Sequence, residues 1–151
     1  MLGVAQNFLT GQIPASFGNC KNLYFLDLSS NNLSGSLPAA IFVPCVVVFS
    51  ISQNSLFGNI SRFSHGEGSN ASLNLSMSYM DLVGGNNFEV SDEFVGSIPT
   101  SFTDIVSLLK LNLSGNRLQD HIPSYIREMK EIRYLSLSNN NFLGMVSQDL
   151  V

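Results

Sequence analysis

The sequence predicts an α/β solenoid, with a parallel β-sheet on the concave face and short helical or 3₁₀ turns on the convex face. Three observations predict it. An asparagine returns in one frame at Asn7, Asn31, Asn54, Asn86, Asn116 and Asn140, at intervals of 24, 23, 32, 30 and 24 residues. Around it recurs apolar-x-apolar-x-x-Asn-x-apolar-x-Gly-x-Ile-Pro, clearest from Leu26 to Pro38 and from Leu111 to Pro123. Six and seven places past the asparagine, Ile13-Pro14, Leu37-Pro38, Ile60-Ser61, Ile122-Pro123 and Val146-Ser147 repeat one chemistry. Self-similarity on this scale marks stacked units, none of which buries its apolar side alone.

Each repeated residue has a physical task. In Leu26-Asp27-Leu28 the two leucines, two apart, point to one side of a strand and the residue between them points to the other. The asparagine stands where the chain must leave the strand. Its amide both donates and accepts, so it satisfies backbone groups that the bend would orphan, and asparagines stacked coil on coil form a ladder. The next apolar residue, Phe8, Leu33 or Leu118, is expected to return to the core. Glycine at the fourth place past the asparagine (Gly11, Gly35, Gly58, Gly144) permits a bend that a side chain would hinder; Asp120 breaks this rule. Proline then fixes the entry to an outer segment with apolar residues at helical spacing, Phe17, Cys20 and Leu23 or Ile126, Met129 and Ile132.

The two long intervals are explained by insertions. Removing 88–93 restores both the Asn-to-Pro distance and the period, and an aperiodic polar stretch near 64–72 accounts for the other excess. Residues 1–151 thus read as one array of about six coils. In the fourth coil a strict frame would bury Asp81. A bulge at Gly84-Gly85 instead turns Met80 and Leu82 inward, which is preferred because an unpaired buried carboxylate costs several kcal/mol.

Composition excludes several classes of function. Charged residues make up 12% of the chain, against about 25% in an average soluble domain. The net charge is −4 and the chain has no basic stripe to displace counterions from nucleic acid. Arg127, Lys130 and Arg133 alternate with Glu128 and Glu131 as a solvated convex turn. The longest apolar run, Ile41 to Phe49, is nine residues with a proline inside, about half a membrane span, and reads as convex turn and strand. Neither a cleavable leader nor capping repeats are legible, so the chain reads as a piece of a longer array.

The string Leu26-Asp27-Leu28-Ser29-Ser30-Asn31-Asn32-Leu33-Ser34-Gly35, and Ile13 to Leu23 before it, resembles the plant-specific class of leucine-rich repeats of receptor-like kinases and receptor-like proteins. Val43-Pro44-Cys45 to Asn54 is similar to the toadstool-type subgroup. The resemblance covers almost the whole chain except the two insertions. It implies a module on the outer face of the plasma membrane that binds a peptide, a steroid or a partner ectodomain on its concave or lateral face. The kinase and membrane helix of that family are absent from this sequence, and no Gly-rich nucleotide loop or catalytic Asp is present to support phosphoryl transfer.

The outward strand residues form the candidate ligand surface: Phe25, Asp27 and Ser29; Val48, Ser50 and Ser52; Lys110, Asn112 and Ser114; Tyr134, Ser136 and Ser138. Phe25 and Tyr134 are large groups on a row otherwise of small polar ones, as interface anchors are; the alternative is that they merely cover neighbouring strands. Asn-x-Ser sequons stand at Asn32, Asn59, Asn70, Asn74 and Asn112, and a glycan on the last would block the concave face. Cys20 takes the place of Met129 in a later coil and is expected to be a buried thiol; pairing with Cys45, about two places out of phase, is the alternative. His65 and His121 have no convergent nucleophile or carboxylate set, and Glu89, Asp92 and Glu93 read as a solvated loop. No catalytic site, metal or cofactor is expected.

The function expected is non-catalytic recognition of a peptide or protein, a co-receptor ectodomain included. Two alternatives are a truncated scaffold or decoy that pairs with full-length receptors through its ends, and an inhibitor module like the secreted plant leucine-rich-repeat inhibitors of wall-degrading enzymes. Because its end coils carry ordinary repeat sequence, the isolated chain should self-associate. Light scattering measures this, and a monodisperse monomer would contradict it.

Overall fold

The computed structural model describes residues 1–41, 45–60, 77–84, 93–146 and 148. Six short strands, β1 (Leu2–Gly3), β3 (Phe25–Asp27), β5 (Val48–Ser50), β7 (Tyr79–Asp81), β9 (Lys110–Asn112) and β11 (Tyr134–Ser136), pair in that order as one parallel sheet. Leu26, Phe49, Met80 and Leu111 face one another across it in register, and each is at most 1% exposed. Leu28, Ile51, Leu82 and Leu113 form the second inward column. Met80 and Leu82 point inward and Asp81 outward, the directions preferred for the fourth coil, while Gly85 of the expected bulge lies outside the described residues. Gly84 lies close against the next coil: a Cβ there would lie 1.8 Å from the Gly115 carbonyl oxygen.

A second parallel sheet, which the repeat pattern did not announce, follows the asparagines. It consists of β2 (Thr10–Gln12), β4 (Asn32–Ser36), β6 (Ser55–Asn59), β8 (Phe94–Gly96) and β10 (Arg117–Leu118), continued by a bridge between His121 and Leu143. The repeated glycine lies in or beside these strands at φ between +83° and +90° (Gly11, Gly35, Gly58, Gly96, Gly144), a backbone region costly for side chains. Asp120 adopts the same turn, at φ +71°, so its departure from glycine changes the residue and not the path. Convex 3₁₀ turns run over Ala15–Asn19, Ala39–Ile41, Thr100–Asp104 and Ser124–Glu128, and Pro14, Pro99 and Pro123 cap three of them.

The bend between the sheets is sealed by side-chain amides. In Asn31, Asn54, Asn116 and Asn140 the Oδ1 accepts from a backbone N–H one coil back, those of Leu9, Leu33, Phe94 and Leu118, each at 3.0 Å. The Nδ2 donates to the carbonyl three residues before it (Leu28, Ile51, Leu113, Leu137). It also donates to the corresponding carbonyl one coil back (Val4, Leu28, Leu82, Leu113). Asn7, in the first coil, is exposed and donates only to its local carbonyls of Val4 and Ala5. Asn86 lies outside the described residues, as do 64–72 and 88–92 of the two insertions.

Two sequence expectations are corrected. Cys20 is exposed, not buried, and both it and Cys45 are free thiols. Its counterpart Met129 is covered because its coil has neighbours on both sides, whereas the coil of Cys20 opens the sheet and has one. Phe8 is 93% exposed rather than in the core. It stands one place past Asn7, while the inward residues Leu33 and Leu118 stand two places past their asparagines, so Phe8 falls on the outer side of the turn.

Replacing Asn54 by Ala orphans the buried Leu33 N–H and removes the hydrogen bonds that the Leu28 and Ile51 carbonyls accept from it, the Leu28 carbonyl keeping the one from Asn31. Asn54→Ala should cost about 2–4 kcal/mol in urea denaturation, and Asn7→Ala less than about 1. Equal costs would show that the ladder is not what holds the bend.

Candidate functional site

The concave sheet presents its outward residues in strict rows, because the strands pair without slippage. Phe25, Val48, Tyr79, Lys110 and Tyr134 form the row at the strand starts. Gly3, Asp27, Ser50, Asp81, Asn112 and Ser136 form the next. Ser29, Ser52, Ser114 and Ser138 lie just beyond it on the strand exits, where their backbones are joined from coil to coil. All the concave residues named from the sequence are thus brought onto one surface. Tyr79 and Asp81 belong to it as well. They were missed although the signal was present, since an inward Met80 and Leu82 leave their neighbours facing out.

Toward the β11 end of the surface a cation is held between aromatic rings. The Lys110 ammonium lies 5.0 Å from the Tyr79 ring centroid and 4.8 Å from that of Tyr134. The ring quadrupoles attract it, by about 0.5–1 kcal/mol per ring at an accessible site. Tyr134 is 47% exposed, so the stack stands open to a partner.

The next row is acidic and internally tied. Asp27 Oδ1 accepts from the Ser29 N–H at 3.0 Å and from its hydroxyl at 2.6 Å. Asn112 Oδ1 accepts likewise from the N–H and hydroxyl of Ser114. Asp81 Oδ1 accepts from the Val83 N–H, and the Ser52 and Tyr79 hydroxyls also favour the charged form of this carboxylate. Burial nevertheless holds the Asp81 carboxyl above the usual carboxylate range, outweighing those hydrogen bonds and the Lys110 charge. Burial first, then the Asp81 and Asp27 carboxylates, raise the Tyr79 phenol.

The remaining candidates lie elsewhere. Asn32 and Asn59 are exposed at the start of β4 and the end of β6, Asn112 is half-buried in the concave sheet, and Asn70 and Asn74 are outside the described residues, with His65. His121 is exposed and lines a lateral groove of about 660 Å³ with Asn59, Ile98, Asp120 and Tyr125. The Tyr125 hydroxyl donates to the Ile98 carbonyl there. Glu93 pairs with Arg117 at 3.8 Å. Among the described residues no cluster of His, Cys, Asp or Glu could hold a metal ion, and no helix is long and apolar enough to cross a membrane.

The Asp81 shift sets a pH dependence. A carboxyl whose folded pKa is raised contributes stability that is present below its unfolded pKa of about 4 and lost as pH rises through the folded value. The amide introduced by Asp81→Asn cannot ionise. The melting temperature of that variant relative to wild type should therefore increase between pH 4 and pH 7, about the window of an upshifted carboxyl. A difference that stays flat or narrows would refute the sign.

The Leucine Rich Repeat family profile matches residues 22–43, 107–129 and 131–151. Receptor-like protein 35 of Arabidopsis thaliana is 34% identical over 149 residues, which is 97% of this chain and 14% of that protein. Among solved structures, the Arabidopsis receptor kinase HAESA, in complex with the peptide hormone IDA and the co-receptor SERK1, superposes over 99% of this chain with a TM-score of 0.83 and 28% identity. The match covers 23% of that structure's chain. The PEPR1–AtPEP1 complex gives a TM-score of 0.81 at 30% identity, over 99% of this chain and 19% of that one. The chain spans about a seventh of the length of the curated relative it matches. With the stacked strands, the asparagine ladder and the Gly-x-Ile-Pro turns, these likenesses place the chain among the leucine-rich-repeat proteins, homologous to the receptor-like proteins and receptor-kinase ectodomains of plants.

Proposed function

We propose that this chain is a non-catalytic, ligand-sensing module of a plant receptor at the outer face of the plasma membrane, and that its concave sheet binds a peptide or a partner ectodomain. It would form one continuous array of about six coils, with insertions near 64–72 and 88–93. The observation that carries the reading is the open Tyr79–Lys110–Tyr134 stack, flanked by the Asp27, Ser50, Asp81 and Asn112 row. Large aromatic groups with hydrogen-bonding groups beside them are the residue types from which interface hot spots are made. Support by likeness comes from HAESA, whose structure holds the peptide hormone IDA and the co-receptor SERK1, and from PEPR1, whose structure holds AtPEP1. Among the described residues, Asn32 and Asn59 are the sequons best placed for glycans, being exposed on the second sheet and leaving the concave rows clear.

The test is to immobilise the chain and titrate it with synthetic secreted plant peptides and with the SERK1 ectodomain. Lys110→Ala and Tyr134→Ala should each weaken the bound ligand by roughly tenfold, about 1.4 kcal/mol. A ligand whose affinity survives both changes but is lost on Phe57→Ala, in the second sheet, would move the function off the concave face.

A further inference from the structure

The outward row at the strand starts repeats with a period of two strands. Aromatic residues stand on alternate strands (Phe25 on β3, Tyr79 on β7, Tyr134 on β11), and a non-aromatic one stands between each pair, Val48 on β5 and Lys110 on β9. Alternate strands in a sheet are about 9.6 Å apart, so a group midway between two rings lies about 4.8 Å from each. The Lys110 ammonium occupies that midpoint between Tyr79 and Tyr134, at 5.0 and 4.8 Å. The chain thereby shows, with one of its own side chains, what the space between two of these rings accepts.

The neighbouring space has no such occupant among the described residues. Between Phe25 and Tyr79 the row carries Val48, whose short side chain is half-buried in the floor. Beside it, in the next row, Ser50 is 7% exposed and separates Asp27 from Asp81, so the row places no long side chain between the two carboxylates. The Phe25 ring lies toward β1 over Gly3, its Cε1 3.4 Å from where a Cβ on that glycine would be. Asp27 and Asp81 stand two residues past Phe25 and Tyr79 on the same outward side of β3 and β7, in the row next to the rings, and both carboxylates raise the Tyr79 phenol. Lys110, the cation nearest by register, is on the other side of the Tyr79 ring.

We infer that the juxtaposition of Phe25, Val48 and Tyr79 with Asp27, Ser50 and Asp81 is a cation slot, which receives a lysine or arginine side chain of a partner peptide in the manner in which Lys110 fills the adjoining space. The aromatic walls attract the charge and pack its methylene stem, and the two carboxylates neutralise it. The slot rests on the concave-face reading and sharpens it, because it requires a basic residue in the partner.

The probe is Nα-acetyl-lysine methylamide, titrated into the full chain and followed by NMR, with the norleucine analogue as the uncharged control. The lysine compound should shift the Val48 methyl and Tyr79 ring resonances and the control should not. Asp27→Asn with Asp81→Asn should weaken the response by roughly threefold to tenfold. Val48→Lys gives the slot a cation of its own and should abolish the Tyr79 response, with circular dichroism confirming the fold. Lys110→Ala empties the second space, so the probe should then also shift Tyr134. Equal shifts from the control, no shift at Val48 and Tyr79 at saturation, or a Tyr79 response unchanged by the double Asp→Asn variant would each overturn the slot. That failure leaves the concave-face reading to the Lys110→Ala and Tyr134→Ala titrations, which do not depend on it.

Discussion

Each coil of this protein is completed by the coil before it, and the asparagine side chain is where that dependence is concentrated. Asn31, Asn54, Asn116 and Asn140 each span two coils with one amide, which takes a backbone N–H on the oxygen and gives hydrogens to carbonyls of both coils. A bend buried between two sheets would otherwise leave several backbone groups without partners, at about 1–3 kcal/mol each. The requirement is positional as well as chemical. An aspartate could accept but not donate, and a glutamine would overreach by one methylene, so the side chain fixes the distance between coils to that of a parallel sheet.

That constraint accounts for the order of the concave face. Once the bends are locked, the strands on one side of them have no freedom to slip, and outward residues from coils far apart in sequence line up in rows. Lys110 meets Tyr79 from 31 positions earlier in the chain and Tyr134 from 24 positions later only because register is preserved across three strands. A surface of this kind is rigid before any ligand arrives, which lowers the ordering cost of binding.

How much of this was legible follows from which residues obey a period. The inward leucines, the ladder asparagines and the proline entries repeat, so the first sheet, the bend and the convex turns could be placed from sequence, down to the inward turn of Met80 and Leu82. The second sheet was not legible, because its strands are short and four of the five contain glycine, which disfavours strands; parallel pairing to the adjacent coil makes them strands. Another regularity was hidden in dissimilar residues. Gln6, Ser30, Gln53, Gly115 and Asn139 all precede a ladder asparagine and all take positive φ, a backbone demand that the pattern of side-chain types does not reveal. Cys20 was misplaced for a simpler reason, since the frame describes a coil between two neighbours and the first coil has one, and Phe8 because it stands one place too early in that frame.

The same logic limits what repetition could say about the surface. Inward positions are chosen by a neighbour that is always another coil, so they converge on leucine, isoleucine, methionine and phenylalanine. Outward positions have no such neighbour, and what stands there is free to differ from coil to coil. It differs here with a pattern of its own: aromatic side chains on β3, β7 and β11, carboxylates on β3 and β7, and one lysine on β9. Neither the ladder nor the core needs that alternation. Tyr79 and Asp81, both partly buried and both held away from their ordinary proton affinities, are placed at a cost in desolvation that a sheet built for stability alone would avoid with serine, as β5 and β11 do in the middle row. The departure from the cheapest surface, at the point where aromatic and acidic residues coincide, is the physical ground for reading it as the recognition site.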